Sequence, residues 1–144
     1  MAYATGMRAL FVCLGFMLTS NAVWGFGSIA VGAPARIEAD GLAIGVSYGQ
    51  ETPQDAQALA IKRCKDFQDA PVETRDLCRV LETFSNQCVS VALDPKAGTP
   101  GWGWAVARES RDAEEGALRM CRSTAGQQRE SYCATTNLRC DKTP

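Results

Sequence analysis

Histidine is missing from all 144 residues of the chain. Its absence removes imidazole-ligated metal sites, the Ser-His-Asp and Cys-His forms of nucleophile activation, and imidazole acid–base chemistry, which together serve a large share of hydrolases. A surplus of positive charge is missing too. Fifteen Lys plus Arg stand against sixteen Asp plus Glu with no dense basic stretch, so the electrostatic footprint of a nucleic-acid binder is absent. No C-x-x-C pair occurs among the seven cysteines, which leaves a zinc ribbon or finger without its ligand spacing. Long apolar runs are scarce: the one near the start, residues 9–18, is about half of the roughly 20 residues needed to span a bilayer. These absences exclude more than they assign. They leave a chain expected to be no enzyme, to carry no cofactor or metal, and to stay out of the membrane once its leader is removed.

What is present begins with that leader. A single positive charge in residues 1–8, the short apolar run, and the small and polar residues 19–25 form the three-part layout of a secretory signal peptide. Cleavage is expected after Ala22, with Gly25 as the second option, giving a signal at 1–22 and one exported domain at 23–144. Cys13 follows Phe11 and Val12 and sits inside the apolar run, which does not suit a lipidation site, where small residues lead up to the cysteine. The compartment is read as periplasmic or extracellular.

Removing Cys13 leaves Cys64, Cys78, Cys88, Cys121, Cys133 and Cys140, an even set in an exported chain and hence a disulfide framework. Six cysteines permit fifteen pairings. An internal repeat narrows the choice. Ser28-Ile29-Ala30-Val31 returns as Ser90-Val91-Ala92-Leu93, and Gly41-Leu42-Ala43-Ile44 resembles Gly101-Trp102-Gly103-Trp104. Asp55-Ala56, Ala60-Ile61-Lys62 and Cys64 likewise match Asp112-Ala113, Ala117-Leu118-Arg119 and Cys121. The halves, about 26–87 and 88–141, place Cys64, Cys78 and Cys88 opposite Cys121, Cys133 and Cys140.

Each half reads as strand, strand, helix, strand. Alternation of apolar with small or polar residues over 27–31, 42–48 and 78–84 suits half-buried strands. Thr52, Pro53 and Asp55 supply an N-cap hydroxyl, a proline at the first helical position and an acid in the first turn. Ala56, Leu59, Ala60, Cys64 and Phe67 then recur at helical spacing. In the second half Glu109 or Ser110 opens the helix, Ala113, Ala117, Met120 and Cys121 form its stripe, and Gly116 weakens it by about 1 kcal/mol relative to Ala. The expected fold is α+β: a pseudo-twofold repeat, an antiparallel sheet with two helices, stapled by disulfides. A helix returns antiparallel to the strand after it, so its C-terminal cysteine lies near that strand's start. That favours Cys64–Cys78 and Cys121–Cys133, with Cys88–Cys140 joining equivalent points of the two halves. The set Cys64–Cys88 with Cys121–Cys140 respects the same symmetry and stays open.

The segment Gly27-Ser28-Ile29-Ala30, the Gly-Trp-Gly-Trp run at 101–104, an alanine-rich helix ending in cysteine in each half, and the closing Cys140-Asp141 together resemble the bacterial domain of unknown function 4189, from about residue 24 to 141. The resemblance implies an exported bacterial domain. Some relatives stand beside toxic effectors of interbacterial secretion systems and look like periplasmic immunity proteins, so a toxic effector is the partner that the resemblance implies.

Several residues are candidates for contact with a partner. On a strand, Trp102 and Trp104 point to one side while Gly101 and Gly103 leave the other flat. The rings either form an aromatic platform for a sugar or a partner, or cover the core. Asp94 and Lys96 lie in the turn-rich loop 94–100, which either inserts into a partner or merely connects; the stretch 33–40 is weighed in the same way. Tyr48 joins the tryptophans in a glycan-binding alternative. Glu109, Asp112, Glu114 and Glu115 crowd one helix start, and Lys62, Arg63, Arg119 and Arg122 lie near helix ends. Both groups are where the helix dipole favours them. The reading that results is a disulfide-stabilised binding domain, an immunity or inhibitor protein, with an envelope or cell-wall-glycan role as the alternative and the oligomeric state left open.

Overall fold

The computed structural model describes residues 25–141; the expected leader at 1–22, Cys13 and the cleavage point after Ala22 lie outside them. The described chain runs β1 (Phe26–Gly32), α1 (Ile37–Asp40), β2 (Ala43–Gln50), α2 (Pro53–Lys65), α3 (Val72–Asp76), β3 (Arg79–Ser85), β4 (Cys88–Leu93), β5 (Trp102–Ala107), α4 (Ser110–Ala125), a 3-10 turn (Glu130–Tyr132) and β6 (Ala134–Cys140). The expected antiparallel sheet is realised as two three-stranded sheets, ordered β2-β1-β3 and β5-β4-β6. Each half is strand, strand, helix, strand. The short helices α1 and α3 fill connections that lack any hydrophobic period in the sequence.

Side-chain size along the central strands builds the layers. Ile29 and Val31 of β1 meet Val89 and Val91 of β4 in one buried cluster, which also takes Val46 and Phe84. The residues between them face the other way. Ala30 packs with Ala43, Ala60 and Cys64 under α2, and Ala92 packs with Ala117, Cys121 and Ala125 under α4. Period-two alternation therefore gives each central strand a branched face toward the opposite sheet and an alanine face toward its own helix. The order is α2, sheet, sheet, α4, with the main core between the sheets.

The alanine faces let each helix lie close to its sheet, and one glycine per half permits the closest approach. A Cβ on Gly45 would collide with Ala60 O and Cys64 N; one on Gly103 would collide with Ala117 O and Cys121 N. These two glycines are thus equivalent, as their pairing with Ala30 and Ala92 also shows. The true counterpart of Gly101-Trp102-Gly103-Trp104 is Ala43-Ile44-Gly45-Val46, two residues later than the match that residue identity suggests. The helix contact, which no local pattern reports, fixes that register. Gly116 has a similar reason, since an added Cβ would press 2.6 Å from Ala105 Cβ.

Thr52 caps α2 as its sequence implies, its Oγ1 accepting from Asp55 N at 3.1 Å behind Pro53. On the outer strands, helix side chains reach backbone groups: Arg63 Nη1 donates to Val46 O at 2.5 Å, and Thr124 Oγ1 accepts from Trp102 N at 2.9 Å. Partnering outer-strand backbone in this way protects a sheet edge.

The cysteines pair as Cys64–Cys78, Cys121–Cys133 and Cys88–Cys140. The first two each tie a helix to the residue just before the last strand of its half. The third does not join the two halves. Cys88 and Cys140 are directly paired residues of β4 and β6, and the same place in the first sheet is held by Phe26 and Ser85. Cys88 stands two residues before Ser90 as Phe26 stands two before Ser28, so its counterpart is Phe26. The halves hold two and four cysteines rather than three each.

Candidate functional site

The connections β1–β2 and β4–β5 leave equivalent points of the repeat and face each other across a groove of about 640 Å³. On one side the chain turns through α1 to Gly41, whose φ of 74° suits glycine. Thr74 Oγ1 donates to Asp40 O at 2.6 Å and ties this side to α3. On the other side the loop 94–100 is closed at its base by Asp94 N donating to Gly101 O at 2.9 Å. The Asp94 carboxylate accepts from Lys96 N at 3.0 Å, and Thr99 Oγ1 donates to Lys96 O at 2.7 Å. Gly98 carries the loop tip with φ 77°.

Asp94 is the fastening of this loop. Arg129 holds it in a two-point pair, Nη2 to Oδ1 at 2.7 Å and Nε to Oδ2. Arg129 in turn lies over the Tyr132 ring, 4.5 Å from its centroid. The hydrogen bond from Arg129 lowers the Asp94 carboxyl to about 2, against desolvation and with help from Lys96 N. A buried carboxylate committed in this way shapes the loop from within, and it is not a surface contact.

The groove is lined by Leu42, Leu93 and Trp102, with Phe67 and Pro71 from the connection after α2. Glu38, Asp40 and Asp69 also line it, with Lys96 on the loop side. Trp102 is partly buried and rests on the central core cluster; its backbone N–H is taken by Thr124 of α4. The arrangement offers an aromatic and aliphatic floor, a rim of carboxylates and a loop held in place.

The residues singled out in the sequence are only partly brought together. Trp102 and Lys96 line the groove, and Asp94 anchors it. Trp104 packs against the core cluster and is not part of the lining. Tyr48 lies elsewhere, 42% exposed, with the guanidinium of Arg63 5.6 Å and that of Arg139 5.9 Å from its ring centroid. Near it, Asp141 Oδ1 accepts from Gly49 N at 3.1 Å while Oδ2 is buried without a hydrogen-bond partner, and burial raises this carboxyl. Among the crowded acids of α4, Glu115 accepts from Arg111 Nε at 2.9 Å, an exposed pair one turn apart. Leu42, Phe67, Pro71 and Asp69 were not singled out. As site residues Leu42 and Phe67 had no signal beyond a strand alternation and a helical stripe, and Pro71 and Asp69 none beyond their place in the long connection 65–77.

The fold and groove define a disulfide-stapled, four-layer α+β sandwich built by duplication, with a concave surface where its two corresponding connections meet. Residues 26–140 match the family described as "Domain of unknown function (DUF4189)", and the chain belongs to that family. No curated protein and no solved structure matches it. The three disulfides mark a protein of an oxidising compartment rather than the cytosol. Among the described residues no helix is long and apolar enough to cross a membrane.

Proposed function

We propose that the protein is an exported binding module of the periplasm or the extracellular space, and that its groove docks a protein partner. A toxic effector neutralised by this domain is the partner implied by the family resemblance. The observation that carries the reading is the anchored loop: Asp94 and Arg129 hold 94–100 in place beside Trp102 and opposite α1. A loop ordered before association loses little conformational freedom on binding, which favours affinity. An aromatic floor ringed by polar side chains is the usual make-up of an interface hot spot. Calorimetric titration with the protein encoded beside this one is expected to give a complex that Lys96→Glu and Glu38→Lys weaken. Absence of binding to any such neighbour counts against the reading.

A second reading rests on Trp102 lying in the same groove as Glu38 and Asp69, a combination that also suits a sugar ring and its hydroxyls. Co-sedimentation with purified peptidoglycan separates the two. Retention of the wild type in the pellet, lost in Trp102→Leu, supports the glycan.

A further inference from the structure

The groove does not end at α1. A second depression of about 480 Å³ adjoins it, sharing Asp40 and Pro71 and continuing past Pro34, Glu73, Thr74 and Leu77. The two meet at Asp40 and Pro71, so that their lining residues run in turn from Trp102 to Leu77 at the end of α3. The apolar surface of this two-part cleft is continuous in kind, with Trp102 and Leu42 at one end and Leu77, 49% exposed, at the other.

The charge along this cleft is one-sided although the whole chain carries a net −1. Glu38, Asp40, Asp69 and Glu73 line it, and among the described residues the only cation lining it is Lys96. Asp94 also borders it but is neutralised by Arg129. Among the described residues Glu38, Asp69 and Glu73 make no ion pair, and Asp40 has only a 4.0 Å exposed contact with Arg36. Three exposed carboxylates without cations therefore flank an open apolar channel.

Resting on the docking role proposed for the groove, we infer that the cleft takes an extended, lysine- or arginine-bearing segment of a protein partner. In an extended chain, successive side chains project to opposite sides, and those on one side lie about 7 Å apart. Apolar residues can then enter the floor at Trp102, Leu42 and Leu77 while cations meet Glu38, Asp69 and Glu73 at the rim. Cell-wall glycan fits less well, because the carboxylates of its peptide stems would face carboxylates.

The test uses ¹⁵N-labelled protein at low ionic strength with two defined probes, an amidated ten-residue peptide of alternating lysine and valine and its glutamate–valine counterpart. The basic peptide is expected to shift the Trp102 indole and the Gly98 and Leu77 amides, and the acidic peptide to shift none of them. Glu38→Gln/Asp69→Asn/Glu73→Gln, which alters exposed side chains only, is expected to weaken the basic peptide about tenfold. The control Glu51→Gln/Asp112→Asn/Glu130→Gln, equal in charge removed, is expected to change affinity less than about twofold. Equal losses in the two variants would overturn the inference by reducing the effect to net charge. If both peptides shift the cleft alike, the docking surface stands and its preference for cations fails. If neither does, the inference fails, and the docking role stands or falls by the titration with the product of the adjacent gene. A soluble muropeptide that moves these resonances when the basic peptide does not would overturn the inference in favour of glycan.

Discussion

At the exit from β1 and the exit from β4, the same point of the repeat is occupied by Gly32 in one half and Asp94 in the other. Gly32 is small because α3 crosses there, and a Cβ would strike Thr74 O. Asp94 has no such neighbour and sends its carboxylate to Arg129. A similar divergence separates Phe26 and Ser85 from the bridged Cys88 and Cys140. By contrast Gly45 and Gly103, Ala60 and Ala117, Cys64 and Cys121, and Cys78 and Cys133 do the same work in both halves. The matched residues lie where helix meets sheet and build the fold. Cys88 and Cys140 lie within strands, whereas the other unmatched residues gather at the connections, and the groove is assembled there. Duplication thus supplies a frame, and departure from symmetry supplies the surface.

This contrast can be broken in several ways, the largest first. Cys88→Ala/Cys140→Ala removes a bridge spanning 52 residues, present in one half only, and is expected to cost about 4 kcal/mol in the chain-entropy model. Cys64→Ala/Cys78→Ala and Cys121→Ala/Cys133→Ala open spans of 14 and 12 residues and should each cost about 3 kcal/mol. Denaturant unfolding of the native protein measures all three. Near-equal losses for the two local bridges, both smaller than the loss at Cys88, would sharpen the contrast.

Gly45→Ala and Gly103→Ala force a helix away from its strand and are each expected to destabilise by about 1–3 kcal/mol. Their effects should be alike because their contacts are alike. A large loss at one and none at the other would deny the equivalence of the halves.

Acid titration separates Asp94 from its partnerless counterpart Gly32. The folded carboxyl of Asp94 is lowered to about 2 from an ordinary value near 3.8, so its contribution is present above that ordinary value and is lost as pH falls through the folded one. Thermal melts from pH 5 down to pH 2 are expected to show a smaller acid-induced decline in Asp94→Asn than in the wild type. Asp141 has the opposite sign. Burial raises its carboxyl, so stability is greatest below about 3.8 and falls as pH rises through the folded value. Asp141→Asn should melt slightly higher than the wild type at neutral pH and show no such gain in acid.

Much of this frame was legible in the sequence for local reasons. Thr52-Pro53-Asp55 fixes a helix start through contacts within one turn, and Ser28 to Val31 against Ser90 to Leu93 exposes the duplication through identity alone. Gly45 was misaligned because its role depends on α2 passing overhead, a contact 15 residues or more along the chain. Cys88 was placed in the wrong half's pattern because counting cysteines ignores that its counterpart, Phe26, is not one. The groove was hardest to read. Trp102 and Lys96 stood out by type, but Leu42, Phe67 and Asp69 converge only through the packing of three connections. Asp94 looked like a surface acid until Arg129, 35 residues away, closed on it.

The most direct measurement maps, residue by residue, the amide shifts of the labelled protein as the product of the adjacent gene is added. A footprint confined to residues 34–42, 67–77 and 93–102 is the predicted result. A footprint centred on Tyr48, Arg63 and Arg139, with the groove undisturbed, would contradict the account.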